Sequence, residues 1–177
     1  MENTISEYTK VMNVCREIFK KKNEDYGTSW RILRPSSLTD QIFIKAQRIR
    51  TIQETGENKV GESPNDAFMA IVNYCIMAII QLREKRDFNA SLTGDEAISK
   101  YDACANEAFD LMKKKNHDYG EAWVEMRVSS ITDLILTKIL RIKQIEDNKG
   151  KTIASEGSEG NYFDMLNYAV FALILSK

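Results

Sequence analysis

The chain has 177 residues, 43% hydrophobic and 29% charged, with 25 Lys+Arg against 26 Asp+Glu and a formal net charge of −1. That is one ordinary globular domain's worth, and the charge balance excludes a generic nucleic-acid binder, which carries a basic patch or a high pI. Eight glycines and two prolines are too few for a turn-rich all-β protein or a disordered linker.

Cys15, Cys75 and Cys104 are scattered and odd in number, so they read as reduced packing residues of a cytoplasmic protein, not a disulfide framework or a zinc knuckle. The N-terminal run MENTISEYTK is polar and lacks the apolar segment of a secretory signal. No membrane and no sequence-specific nucleic acid is expected as a partner.

In chain order, the first helix is expected over 6–22, with Val11, Val14, Cys15, Ile18 and Phe19 at helical spacing. Lys20, Lys21 and Lys22 close it, where positive charge complements the helix dipole. Residues 23–34 read as a loop around Gly27, and a second helix runs from Ser36-Ser37 to Glu54. A glycine-bearing loop follows over 55–62. The third helix starts at Ser63-Pro64, since proline suits the first helical position, and runs to Arg83. Its stretch from Ala67 to Ile80 is interrupted by Asn73 and is shorter than the ~18–20 apolar residues a spanning helix needs. It is expected to be a central buried helix.

The chain then repeats itself. KKKNEDYGTSW, from Lys20 to Trp30, returns as KKKNHDYGEAW, from Lys113 to Trp123. Residues 5–54 and 98–147 share 22 identities in 50 positions, and Asn73-Tyr74 returns as Asn167-Tyr168. Such self-similarity decides the architecture before any other feature does. The expectation is an all-α tandem duplication of a three-helix unit, over 5–84 and 98–176 with a linker at 85–97. The two repeats should pack as an intrachain pseudo-dimer.

Certain polar residues stand where apolar ones belong. Lys45 falls within the stripe Leu38, Ile42, Ile49 and Ile52, with Arg48 at its edge, and Lys138 and Arg141 repeat the pattern. A lysine on a core-facing stripe is costly unless it is paired, lines a polar cavity, or snorkels to solvent. On the third helix Glu62, Asp66 and Asn73 lie within about 40° of one another. The second repeat offers Glu156, Asp164 and Asn167, with Glu159 nearby. Such oxygen groups suit Mg²⁺, usually held by one or two carboxylates, water and phosphates.

Ser37-x-x-Asp40, Ser130-x-x-Asp133 and Ser63-x-x-Asp66 also have the form of capping boxes, which would confine those aspartates to helix starts. Asp25-Tyr26-Gly27 with Trp30, and Asp118-Tyr119-Gly120 with Trp123, combine a turn glycine with aromatics. Those aromatics either stack on a nucleobase or pin the turn to the core.

The order KxNxDYGxxW, a helix with KxxRI, a Gly/Glu loop, then ES-x-x-D and NY on an apolar helix resembles the nucleotide modification associated domain 1 family. That family is similar to the all-α, MazG-like nucleoside triphosphate pyrophosphohydrolases. The resemblance covers both copies and implies a helical, self-associating fold acting on a nucleotide. It further implies Mg²⁺ on helix-borne carboxylates and water attacking between the α- and β-phosphates.

Carried over, Glu62, Asp66, Glu156 and Asp164 would hold the metal and carry the chemistry, and Lys45, Arg48, Lys138 and Arg141 would contact phosphates. Asn73 and Asn167, with Asp25, Tyr26, Trp30, Asp118, Tyr119 and Trp123, would form the base or polar pocket. The departure is the Glu-x-x-Glu pair of the catalytic pyrophosphohydrolases, which Lys-x-x-Arg replaces on the equivalent helix. Glu54-x-x-Glu57 has the letters but spans Gly56. Two expectations follow: a Mg²⁺-dependent nucleotide pyrophosphohydrolase, or a non-catalytic nucleotide-binding or scaffold protein.

Overall fold

A computed structural model describes residues 1–84, 92–154 and 156–177. Six α-helices follow one another, with no strand among the described residues: α1 Glu2–Tyr26, α2 Pro35–Thr55, α3 Pro64–Arg83, α4 Gly94–Tyr119, α5 Val128–Asp147 and α6 Ser158–Leu175. Short 3₁₀ turns, Ser29–Ile32 and Ala122–Glu125, connect α1 to α2 and α4 to α5. The expected all-α duplication is therefore the fold. Of the expected linker, residues 85–91 lie outside the described residues, and α4 already begins at Gly94.

The centre is made by α3 and α6, which pack on each other. Helix α2 flanks α3, α5 flanks α6, and α2 closes on α5. Helices α1 and α4 lie across the two central helices, each touching both, so neither repeat keeps its core to itself. The reason lies in the sequence of α3 and α6. They are apolar nearly all round, and Ile71, Val72, Ile76, Ala78 and Ile79 on α3 are fully buried, as are Met165, Leu166, Ala169 and Val170 on α6. A helix with no polar face needs neighbours on every side. Helix α3 is long and apolar enough to cross a membrane, but 67% of that stretch is buried within the fold. It is a core helix.

Three local expectations need correction. Helix α1 does not stop at Lys22; Asn23 to Tyr26 add another turn. Gly27 ends it, at φ 61° and ψ −146°, a conformation that L side chains rarely adopt. Second, Asp40 and Asp133 do not cap. Helices α2 and α5 begin earlier, at Pro35 and Val128, with Arg34 and Arg127 at the N-cap positions. The two aspartates instead face across the repeats, Asp40 to Lys143 at 3.4 Å and Asp133 to Arg50 at 3.5 Å. Third, Ser63 does cap α3, accepting from the Asn65 N–H at 3.2 Å, but among the described residues no Asp66 side-chain bond completes a box there.

The α2–α5 contact carries a second crossed pair. Thr39 donates to the Glu146 carboxylate at 2.9 Å, and the Gln53 amide donates to the equivalent threonine, Thr132, at 3.0 Å. Burial, helped by Asp40 and Asp147, pushes the Glu146 carboxyl above its ordinary 4.5, against the opposing hydrogen bond from Thr39. A carboxyl raised in the folded state contributes stability below its unfolded pKa and loses it as pH rises through the folded value. Glu146→Gln, the residue the other repeat already uses, should therefore raise the thermal unfolding midpoint near about pH 7. At about pH 3, where the carboxyl is protonated in both states, the change should vanish. Melting curves at the two pH values check it, and an equal shift at both would contradict the account.

Candidate functional site

Each repeat places the end of its first helix, its 3₁₀ turn and its third helix around a cavity. In the first repeat this is a space of about 620 Å³ lined by Phe19, Trp30, Tyr74 and Met77, with Lys22, Asn23, Tyr26, Asp66 and Asn73 on its wall. In the second, the equivalent space is about 400 Å³ and is lined by Met112, Trp123, Tyr168 and Phe171, with Lys115, Asn116, Tyr119, Lys138, Asp164 and Asn167. Both volumes are in the range of small-molecule sites.

The turn glycines let the chain fold back so that Trp30 and Trp123 enter the wall, each only 8% exposed. Tyr26 and Tyr119 stay 71% and 73% exposed at the rims. An aromatic left so open beside an aromatic-lined cavity is suited to close over a flat ligand. Asp25 and Asp118 line neither space. They are exposed, Asp118 beside His117 at 3.1 Å.

The two stripe lysines have different fates. In the second repeat Asp164 bridges Lys138 at 2.8 Å and Lys115 at 2.5 Å. The Lys138 and Asp164 side chains are only 13% and 12% exposed, so the pair is nearly buried and losing one partner would strand the other's charge. Burial opposes charge on Lys115, but its hydrogen bond to Asp164, helped by Glu156, outweighs that and raises its pKa. In the first repeat Ala70 stands at the position of Asp164. Lys45 is half-buried there, and neither it nor Lys22 has an ion-pair partner among the described residues.

The arginines diverge as well. Arg48 donates to the Glu62 main-chain carbonyl at 2.6 Å and to the Asn58 side chain at 3.1 Å, tying the loop before α3. Arg141 is exposed, without a hydrogen-bond partner among the described residues. It lines a third space of about 830 Å³ with Lys138, Lys151, Asn148, Glu156 and Asp164. Lys138 and Asp164 are thus the shared wall between this basic cavity and the aromatic cavity of the second repeat.

The carboxylates expected to hold Mg²⁺ do not assemble alike. Glu62 and Asp66 are both exposed, and it is the carbonyl of Glu62 that the fold uses. Glu156 and Asp164 line one cavity. Gly160 replaces Asp66 beside them: a Cβ there would come within 2.9 Å of the movable Glu156 carboxylate. No group of three or more His, Cys, Asp or Glu able to hold a metal ion exists among the described residues, and both Asp164 oxygens are engaged by lysines. Among the described residues, then, the expected carboxylates do not converge on a protein-enclosed cation site.

Asn73 and Asn167 border the aromatic cavities, but their polar atoms are spent inside the fold. Asn73 accepts from Tyr101 at 2.8 Å and donates to the Cys15 carbonyl at 3.0 Å. Asn167 accepts from Tyr8 at 2.6 Å and donates to the Ala108 carbonyl at 3.2 Å. Each ties the first helix of its own repeat to a tyrosine from the other.

Lys115, Tyr74, Tyr168 and Lys151 line these cavities without a sequence signal that marks them as site residues. Lys22 and Lys115 lie inside the duplicated KKKNxDYG run, where they read only as helix-end charge. Tyr8 and Tyr101 lie in the matching ISEY and ISKY starts.

Searches of curated proteins and of solved structures returned no match to the chain. The family pattern called nucleotide modification associated domain 1 matches residues 22–82 and, a second time, residues 115–175. Each match takes in the aromatic turn, the second helix and nearly all of the third helix of one repeat, and so most of each cavity's lining; Phe19 and Met112 lie just before the matched stretches. The chain belongs to the nucleotide modification associated domain 1 family and carries that family's unit twice.

Proposed function

We propose that the second repeat binds a nucleotide. The phosphates lie in the basic cavity against Lys138, Arg141 and Lys151, and the base and sugar lie against Tyr119 and Tyr168 in the adjoining aromatic cavity. One observation carries this reading: a basic space and an aromatic space meet at a common wall, Lys138 and Asp164. Lys138 would exchange Asp164 for phosphate oxygens, and Arg141 offers a planar donor fork suited to them. Mg²⁺ would enter with the phosphates and be held by Glu156, supplying a counter-charge to the phosphoryl oxygens. The setting is a cytoplasmic protein with reduced cysteines.

A second reading adds chemistry to binding. Glu156 and Asp164 both face the phosphate cavity, where a carboxylate can orient a water for attack at the α-phosphate, releasing monophosphate and pyrophosphate.

The test is to offer the protein a panel of canonical and modified nucleoside triphosphates with Mg²⁺, following both thermal midpoint and pyrophosphate release. Ligand at a hundredfold its Kd should add about 2.7 kcal/mol of stability, roughly 5–10 °C for a chain of this size. Stabilisation without turnover supports binding alone. Turnover that Glu156→Gln abolishes supports hydrolysis. No stabilisation and no product from any triphosphate would overturn both readings.

A further inference from the structure

The two aromatic cavities differ in one way that the duplication itself makes informative. In the second repeat the Trp123 ring is stacked face to face on Phe171, with centroids 4.2 Å apart and planes 5° from parallel. The first repeat has Met77 at the position of Phe171, and its cavity is larger, about 620 Å³ against about 400 Å³. Phe19 lies near Trp30, but tilted by 57° at 6.1 Å, not stacked. The second repeat thus supplies its own flat ring to its tryptophan, whereas the first leaves room for one.

The polar groups around that room differ from those of the second repeat. Asn23 lines it, and its side-chain oxygen accepts from the Trp30 indole N–H at 3.4 Å. Among the described residues the Asn23 amide nitrogen has no hydrogen-bond partner and no exposed surface, a state that costs free energy. In the second repeat the equivalent amide, on Asn116, is turned to the Met112 sulfur at 3.2 Å. Arg48, the counterpart of Arg141, is committed to Asn58 and the Glu62 carbonyl. Ala70 also removes the carboxylate that bridges two lysines in the other repeat.

We infer that the first repeat is a separate binding site for a planar heteroaromatic molecule of nucleoside size. Its ring stacks on Trp30 where Phe171 stacks on Trp123, a turn of the Asn23 side chain brings the amide to its acceptor atom, and Tyr26 closes over the rim. This site is distinct from the phosphate cavity and does not depend on it.

The chain has two tryptophans, one in each cavity, so the site can be read directly. In the Trp123→Phe full chain, adenosine and thymidine are titrated while Trp30 fluorescence is followed. At least one should quench it saturably, and added tripolyphosphate should leave the curve unchanged. Met77→Phe, which installs the second repeat's ring, should weaken the binding about tenfold or more. Ala70→Asp should weaken it in the same direction, and it replaces Met77→Phe if that variant fails to fold. Should Trp123→Phe itself fail to fold, 5-fluorotryptophan labelling of the unsubstituted chain separates the two signals, and only that of Trp30 should move.

Absence of saturable quenching with both nucleosides overturns the inference. So does unchanged affinity in the folded Met77→Phe or Ala70→Asp protein. Displacement by tripolyphosphate would instead assign the binding to the phosphate cavity, and would overturn it as well.

Discussion

Replacing Lys138 and Arg141 together by alanine should weaken nucleoside triphosphate binding by about a hundredfold or more. Each charge-assisted hydrogen bond to a phosphate contributes about 1.5–3 kcal/mol. Lys138 sets the lower end, because in the free protein it is already paired with Asp164 at 2.8 Å, and the phosphate gains only the difference between two partners. About 3 kcal/mol for the two residues corresponds to roughly a hundredfold in Kd.

Arg141→Ala alone is the cleaner variant, since Arg141 is exposed and has no partner among the described residues. It should lower affinity with almost no change in thermal midpoint. Arg48→Ala at the matching position should do the reverse. It loosens the loop that Arg48 holds through Asn58 and Glu62, lowering stability while leaving triphosphate affinity intact. Calorimetric titration with melting curves separates the two outcomes. Equal losses of affinity from Arg48→Ala and Arg141→Ala would refute the placement of the phosphates in the second repeat.

The largest loss of stability is expected from Asn73→Ala and Asn167→Ala. Asn73 and Asn167 are each 6% exposed, and their tyrosine partners, Tyr101 and Tyr8, are 0% and 1% exposed. Removing one asparagine strands a buried tyrosine hydroxyl, at about 1–3 kcal/mol, takes the second hydrogen bond from a helix carbonyl and leaves a small cavity. A central value near 3 kcal/mol per asparagine lowers the thermal midpoint by roughly 6–12 °C. The double variant would consume much of the roughly 5–15 kcal/mol by which proteins are stable.

The crossed arrangement supplies a control. In the Tyr8→Phe background no hydroxyl is left to strand, so Asn167→Ala should cost less there than in the unsubstituted protein, while the Tyr101–Asn73 pair is untouched. A double-mutant cycle by urea unfolding measures that coupling. If the asparagines acted chiefly on a ligand, their removal would weaken binding with little loss of stability, and the coupling would be absent.

Much of the fold was legible in the chain, for a reason that differs by element. The run KKKNxDYGxxW, recurring with Lys45-x-x-Arg48 and Lys138-x-x-Arg141, revealed two like units because a duplicated unit repeats both its helix spacing and its exceptions to it. Helix α3 was legible as central because an apolar surface on all sides leaves no face for water. Lys138 and Asp164 stood out as charges on apolar faces, and they are the shared wall of the adjoining cavities.

Other features were not legible. Asp40 and Asp133 followed a capping pattern, yet the helices start earlier and those carboxylates reach Lys143 and Arg50 of the other repeat. Asn73 and Asn167 stood in line with the carboxylates on the helical wheel. Their amides, however, are committed to backbone and tyrosine partners that a wheel of one helix does not contain.

By itself, then, the sequence determined that this protein is two copies of one helical unit with charge set into its apolar stripes. Spacing along a helix is local, and duplication makes it visible twice. Only the tertiary structure decided which partner each charge meets. Ala70 leaves Lys45 and Lys22 unbridged, whereas Asp164 joins Lys138 and Lys115. Met77 leaves open a space beside Trp30, whereas Phe171 covers Trp123. Those differences arise where helices from separate stretches of chain are brought together, and there a single exchanged side chain changes the volume and charge of a shared space.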